Sequence, residues 1–238
     1  MRGKHYYYFG LQHYEEGMLF NELDVKMWDK LRCENIKTPF SIERTKEDYE
    51  TNCKNRIDYY DKAKIICDNI EAERVVSLGV GTGILEWHMK NLKDDMELVC
   101  SDYTEGALKL LQNVTNCSEF KVFDMYADDY RWMVQFDYVI MHRLDTEFSF
   151  DSWKKIFYKM YHANVKRIIF IPSLHNTTES ISAEEKWHQE IQAKGYHDTF
   201  CGWLYTRDEW VRMWDGHYCI DKSIDYEDTT IYFLKRLE

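Results

Sequence analysis

Three glycines crowd into five residues at Gly79-Val80-Gly81-Thr82-Gly83, after the apolar run Val75-Val76-Ser77-Leu78 and before the helical pattern Ile84 to Leu92. Glycine permits backbone angles closed to other residues and lets a ligand approach the main chain, while a helix start offers unpaired N–H groups. In a dinucleotide fingerprint the third glycine falls where this chain has Ile84, one residue later than Gly83. The loop therefore reads GxGxG rather than GxGxxG, which suits an amino-acid-bearing nucleoside better than a pyrophosphate.

Two carboxylates follow at matching places. Asp102, with Tyr103 beside it, comes directly after the apolar run Leu98 to Ser101 and can accept both ribose hydroxyls, or serve only as a helix-capping acid at the turn. Asp124 closes the run Glu119 to Phe123 and can accept an adenine amino group, with Met125 or Tyr103 packing on the ring. Glycines, ribose acid and adenine acid at successive strand ends say more together than any one of them alone.

The elements that must position these residues are short β-branched runs alternating with helical patterns, the signature of a parallel sheet. We read five such strands, Arg74 to Leu78, Glu97 to Ser101, Glu119 to Phe123, Phe136 to Met141 and Val165 to Ile171, with room for a helix between each pair. His217 to Tyr226 and Thr229 to Leu237 are separated only by Glu227-Asp228 and read as an antiparallel hairpin. Residues 44 to 72 read as one amphipathic helix capped by Thr45, with Tyr49, Cys53, Ile57 and Tyr60 on its apolar face. Capping boxes start helices at Ser182 and Thr206, and Thr104 precedes another. The expected fold is α/β, a seven-stranded, mostly parallel, doubly wound sheet with an antiparallel C-terminal hairpin. Residues 1–55 are expected to form an N-terminal helical extension or lid, helical around Asp24 to Leu31, and residues 56–238 the α/β domain.

Composition narrows the class. A net charge of -11 disfavours broad binding to nucleic acid, which rests on neutralising phosphates with Lys and Arg. No apolar run approaches the roughly 20 residues of a membrane-spanning helix, and the N-terminus is unlike a signal peptide. Seven cysteines, odd in number and without a CxxC pair, read as free thiols in a reducing compartment, so the expectation is a cytoplasmic protein with no metal.

The segments VVSLGVGTG, SDYTEGAL, VFDM and FDYVIMHRL, with YTRDEWVRMWDGHYCI running into a terminal hairpin, resemble the class I S-adenosylmethionine-dependent methyltransferases over about residues 55 to 238. The resemblance implies that Gly79, Val80, Gly81, Gly83, Asp102, Tyr103, Asp124, Met125 and Met141 hold S-adenosylmethionine. It also implies methyl transfer to a nucleophile, with S-adenosylhomocysteine as product. The chain departs from the family at Ser77, where an acidic residue is usual; Glu86 either compensates or is an ordinary solvated helix residue.

The same resemblance places the fourth strand end, Met141-His142-Arg143-Leu144-Asp145, at the reacting methyl group. His142 is then the first candidate for a general base, with Asp145 and His175 behind it, although His142 could equally pack against the cofactor. The Asn/Asp-Pro-Pro-Tyr motif of amino-group methyltransferases is absent. Tyr6, Tyr7, Tyr8, Tyr14, Trp203 and Tyr205 form either a substrate wall or aromatic glue, and Asp145 with Glu147 offers only a weak case for a metal-dependent variant. A small-molecule acceptor, a metabolite or sugar-like compound with an O or N nucleophile, is the first reading. A protein or RNA methyltransferase, or a cofactor-binding partner subunit without turnover, comes next, and a dinucleotide oxidoreductase last.

Overall fold

A computed structural model describes residues 3–6, 25–33, 41–144, 148–175 and 201–238, with isolated positions between 176 and 187. The strands are β1 (Gly3–Tyr6), β2 (Arg74–Leu78), β3 (Glu97–Asp102), β4 (Glu119–Val122), β5 (Tyr138–His142), β6 (Arg167–Ile171), β7 (Cys201–Leu204), β8 (Tyr218–Tyr226) and β9 (Thr229–Arg236). The helices are α1 (Val25–Cys33), α2 (Lys46–Lys54), α3 (Ile57–Asn69), α4 (Ile84–Leu92), α5 (Glu105–Val114), α6 (Phe150–His162) and α7 (Arg207–Trp214). Seven strands form one sheet in the order β4-β3-β2-β5-β6-β9-β8.

β2 pairs in parallel with both β3 and β5, so the chain reverses direction across the sheet at the β2–β5 boundary. In open α/β sheets the crevice at such a switch point, outside the carboxyl ends of the strands, is where ligands bind. The glycine loop and His142 lie at that crevice because they end β2 and β5.

Alternation along the central strands divides the core into two layers. Val75, Ile140, Ile169, Ile231 and Phe233 face α3 and α4 together with Ala63, Ile66, Leu85 and Met89. Val76, Val139, Met141, Ile168, Phe170, Tyr232 and Leu234 face the opposite layer, where Trp153, Phe157, Trp210, Trp214 and Tyr218 are buried. Buried on both faces, β2, β5 and β6 carry near-continuous apolar runs, interrupted in β2 by buried Ser77, as expected of parallel central strands. Edge strand β8 exposes most of its residues, including Asp221, Lys222 and Asp225, and shifts register between Ile220 and Lys222; charge and a bulge both blunt an edge against further pairing.

Several expectations need revision. Residues 44 to 72 form two helices rather than one: Thr45 caps α2 by accepting from Asp48 N at 3.2 Å, but Asn55 ends it and Arg56 leaves helical geometry at φ -100°, ψ 74°. The break turns the stripe, so Ile57 and Tyr60 are exposed while Ala63, Ile66 and Cys67 take over the packing. Only a 3-10 helix, Tyr130–Gln135, stands between β4 and β5. The hairpin forms as expected, yet only β9 opposes the other strands, since β8 is antiparallel to β9 and so runs with β6.

The N-terminal segment contains helix α1 but also strand β1, which pairs antiparallel with β7 as a two-stranded sheet. Tyr205 is fully buried and its hydroxyl donates to Phe148 O at 2.9 Å, so it glues the core rather than walling a pocket. Tyr7, Tyr8, Tyr14, the side chains of Tyr6 and Trp203, and the helix expected after Ser182 lie outside what is described. Where described, Cys33, Cys53, Cys67, Cys100, Cys117 and Cys219 are free thiols, and among the described residues no helix is long and apolar enough to cross a membrane.

The aromatic layer should dominate stability. Trp210 has ring centroids 4.5 Å from Phe170, 4.9 Å from Tyr205 and 5.6 Å from Trp153, and is fully buried. Trp210→Ala is expected to cost roughly 3–5 kcal/mol in urea unfolding, whereas exposed Tyr158→Ala should change stability by under about 0.5 kcal/mol.

Candidate active site

The glycine loop leaves β2 with three left-handed residues, Gly79 at φ 60°, Gly81 at φ 59° and Gly83 at φ 66°. A side chain at Gly79 would also lie 2.3 Å from Leu144 Cδ2, and one at Gly83 2.9 Å from Leu111 Cδ2, so both glycines are needed for packing as well as for backbone angle. Gly81 is different, because a methyl there would first meet the Arg32 guanidinium, at 3.4 Å, and then Gly79 O at 3.9 Å. That face of the loop is therefore closed by one charged side chain rather than by core. Val80 is buried, its N–H donating to Ser101 O at 3.0 Å, and Tyr49 donates its hydroxyl proton to Thr82 O at 2.8 Å.

Asp102 sits at the end of β3 with only 1% of its surface exposed. Its Oδ2 accepts from Gly81 N at 3.0 Å and from Arg32 Nη1 at 2.8 Å; its Oδ1 accepts from Thr104 N at 3.0 Å and Thr104 Oγ1 at 2.6 Å. A carboxylate has about four lone-pair sites, and all four are in use. Arg32 belongs to α1, packs over Trp28 at 4.8 Å and also reaches Thr104 Oγ1 at 3.3 Å. Nothing in the sequence around Arg32 signals this role, since its partner is 70 residues away.

Behind the loop, Ser77 donates to Glu86 Oε1 at 2.6 Å, and Glu86 is 2% exposed. The solvated reading of Glu86 is thus overturned: the first turn of α4 faces the core, and the carboxyl at 86 reaches the position whose side chain the family makes acidic. Burial pushes the Glu86 carboxyl up to about 7, against the opposing hydrogen bond from Ser77.

The remaining expected residues are spread along the strand ends. Tyr103 is half-buried beside Asp102. Asp124 lies two residues beyond β4, where its Oδ1 accepts from Tyr126 N at 2.7 Å and Ala127 N at 3.3 Å, a local turn. The side chains of Met125 and Met141 are committed to the aromatic layer of the core. His175 is buried with Nε2 3.0 Å from Thr230 Oγ1, near the hairpin, and burial lowers it to about 4. Asp145 lies outside the described residues, as does Glu147.

His142 ends β5. Its ring meets the edge of Tyr59 at 5.2 Å between centroids, and its buried Nε2 has no hydrogen-bond partner among the described residues. Burial, then Lys62, Arg143 and Arg56, hold it well below the usual histidine range. A ring surrounded by cations remains neutral at pH 7 and is a reluctant proton acceptor. Arg143, with φ 57°, is held at the strand end by its N–H, which donates to Ile171 O at 2.9 Å.

This strand order and the loop at its switch point define the fold of the class I S-adenosylmethionine-dependent methyltransferases. Three solved structures illustrate the likeness. The mitomycin 7-O-methyltransferase MmcR superposes with a TM-score of 0.56 at 12% identity over 80% of this chain and 58% of its own, so this chain spans little more than half of it. Magnesium protoporphyrin IX methyltransferase from Synechocystis PCC 6803, solved with bound SAH, gives 0.54 at 12% identity over 76% and 84%. A Rhodobacter sphaeroides protein whose name carries Zn-dependent alcohol dehydrogenase gives 0.56 at 14% identity over 75% and 90%, a reminder that fold alone does not set chemistry. No protein-family profile matches the sequence, and no curated protein matches it at the sequence level.

Glu86 supplies a direct test of the loop's foundation. Its pKa is raised above the unfolded 4.5, so the folded state binds this proton more tightly; the protonated form's contribution is full below about 4.5 and is lost as pH rises through about 7. Glu86→Gln keeps the oxygen that accepts from Ser77 and never ionises. Relative to wild type it should gain nothing at pH 4.5 and up to about 3 kcal/mol at pH 8, measured by urea unfolding across that range.

Proposed function

We propose that the chain transfers the methyl group of S-adenosylmethionine to an O or N nucleophile of a small molecule, releasing S-adenosylhomocysteine. One observation carries the reading: the carboxylate that ends β3 is hydrogen-bonded to the central amide of the GxGxG loop that ends β2. Gly79, Val80, Gly81 and Gly83 would line the methionine and ribose side, Asp102 and Tyr103 the ribose, and Asp124 the adenine amino group. Met125 and Met141 would support that pocket from the core. Buried Glu86, linked to Ser77, takes over the acid usual at position 77. Residues 1–55 act as an extension over residues 56–238, with α1 laid on the cofactor side. Free thiols support a cytoplasmic setting.

In-line methyl transfer asks mainly for near-attack positioning. His142 would meet the acceptor as a neutral hydrogen-bonding group, and Asp145 follows it on the same connection. The small-molecule reading is supported by a net charge of -11, which is unhelpful for a nucleic-acid acceptor.

Calorimetry with S-adenosylmethionine and S-adenosylhomocysteine tests the proposal. Wild type should bind both, while Asp102→Ala and Gly81→Val should weaken binding by more than about tenfold, the loss of a charge-assisted hydrogen-bond acceptor or of a left-handed glycine. Equal behaviour of all three proteins would defeat the site. Arg32 gives a signed expectation, because it occupies an Asp102 lone pair that a ribose hydroxyl needs. Arg32→Ala should bind S-adenosylhomocysteine about tenfold more tightly while unfolding at lower temperature, having left a buried carboxylate short of its counter-charge.

A further inference from the structure

At the end of β5, beside His142, the ring of Tyr59 gathers three cationic or polar groups. Arg56 Cζ lies 4.4 Å from its centroid, the His142 ring 5.2 Å and Lys62 Nζ 5.6 Å. Lys62 is 6% exposed and rests 5.3 Å from the Tyr226 ring at the end of the β8–β9 hairpin. It makes no hydrogen bond or ion pair with any described residue, an arrangement that is costly for a buried ammonium.

The acids nearby are already engaged or face outward. Asp58 accepts from Arg56 Nε at 3.2 Å and Nη2 at 3.3 Å, Asp61 accepts from the Tyr226 hydroxyl at 3.2 Å, and Glu227 is exposed on the hairpin turn. Every charged group that perturbs His142 is a cation, namely Lys62, Arg143 and Arg56. Lys62 itself is lowered by burial and then by Arg143, against Asp58 and Glu227, which act to raise it. The charges acting on His142 are thus cationic, in a protein whose net charge is -11.

We infer that this cluster is the recognition site for a carboxylate on the methyl acceptor, held by Lys62 Nζ and by the otherwise unpartnered His142 Nε2 between the rings of Tyr59 and Tyr226. One ammonium with one imidazole N–H matches a planar monoanion, and the flanking tyrosines suit a carboxylate borne on an apolar or aromatic body. The assignment rests on the methyl-transfer reading of the adjoining loop, and it deepens that reading to an acidic small molecule as substrate class.

The test compares benzoate with benzamide, which share shape and differ in charge, titrated calorimetrically into protein saturated with S-adenosylhomocysteine and into protein without it. Benzoate should bind at least about tenfold more tightly than benzamide, the ordinary weight of a charge-assisted pair in a dry site. Lys62→Met should erase that preference, Lys62→Arg should retain it, and S-adenosylhomocysteine should bind both variants as it binds wild type. Lys62→Met should also melt at or above the wild-type temperature, because it removes a buried unpaired charge; this separates loss of the site from loss of the fold.

Equal binding of benzoate and benzamide, absence of benzoate binding, or an undiminished preference in Lys62→Met would each overturn the inference, and inorganic phosphate binding more tightly than benzoate would overturn the assignment to a carboxylate. If wild type takes no S-adenosylhomocysteine, it is the methyl-transfer reading that fails, and the benzoate and benzamide pair without cofactor still decides the anion site.

Discussion

The structure at the strand ends depends on one buried carboxylate. Asp102 ties together three pieces that are remote in sequence: the loop after β2 through Gly81 N, the turn into α5 through Thr104, and α1 through Arg32. A carboxylate this deeply buried is stable only when its lone pairs are filled, so each partner is held in place by the cost of leaving the acid unpaired. Gly81 also carries a positive φ, so the residue that donates this amide is held to glycine by its backbone angle. A ribose bound here as proposed would not find an empty acid. It would exchange donors with Arg32, and the free energy of that exchange is the difference between two charge-assisted hydrogen-bond sets, far smaller than the cost of baring Asp102.

Electrostatics divide the crevice in two. The glycine-loop end carries buried acids, Asp102 and Glu86, whereas the end of β5 carries Arg56, Lys62 and Arg143 around His142. A sulfonium cofactor with an ammonium group suits the first side and repels the second. The surroundings explain why His142 is ill-suited as a base: protonating it would place a positive charge in a buried position beside Lys62, Arg143 and Arg56. For an acceptor bound as proposed, these cations would do the equivalent work by another route, because they favour the deprotonated form of a nucleophile placed beside them.

What the sequence makes legible is what rests on short-range pattern. The central strands β2, β3 and β6 are apolar runs bounded by turns, and the Thr206 capping box reappears with both of its hydrogen bonds. The loop glycines could be identified because left-handed angles leave few alternatives to glycine. The break between α2 and α3 is not legible, because no Gly or Pro marks it and the apolar spacing continues through Ile57. Arg32 and Lys62 escape notice for a different reason: their importance comes from what tertiary structure places around them, across 70 residues for Arg32 and across to the hairpin for Lys62. Glu86 shows the same limit, since a helical glutamate is usually solvated and only the packing of α4 buries this one.

Ser77 and Glu86 show how a site tolerates loss of a residue its fold usually supplies. The position under the glycine loop is central in the sheet, paired on both sides through Cys100 and Ile140, so an acid on β2 would have to be buried wherever it pointed. Moving the carboxyl to the first turn of α4 keeps a negative group beneath the loop while placing it where the positive end of the helix dipole favours its ionised form. Burial works in the opposite direction and leaves Glu86 titrating near 7. The acid is thus charged or neutral according to what approaches: an ammonium-bearing ligand would favour the carboxylate, and an apolar surround the acid. In this chain the acid beneath the loop is therefore set by where the carboxyl group ends up rather than by the residue on β2.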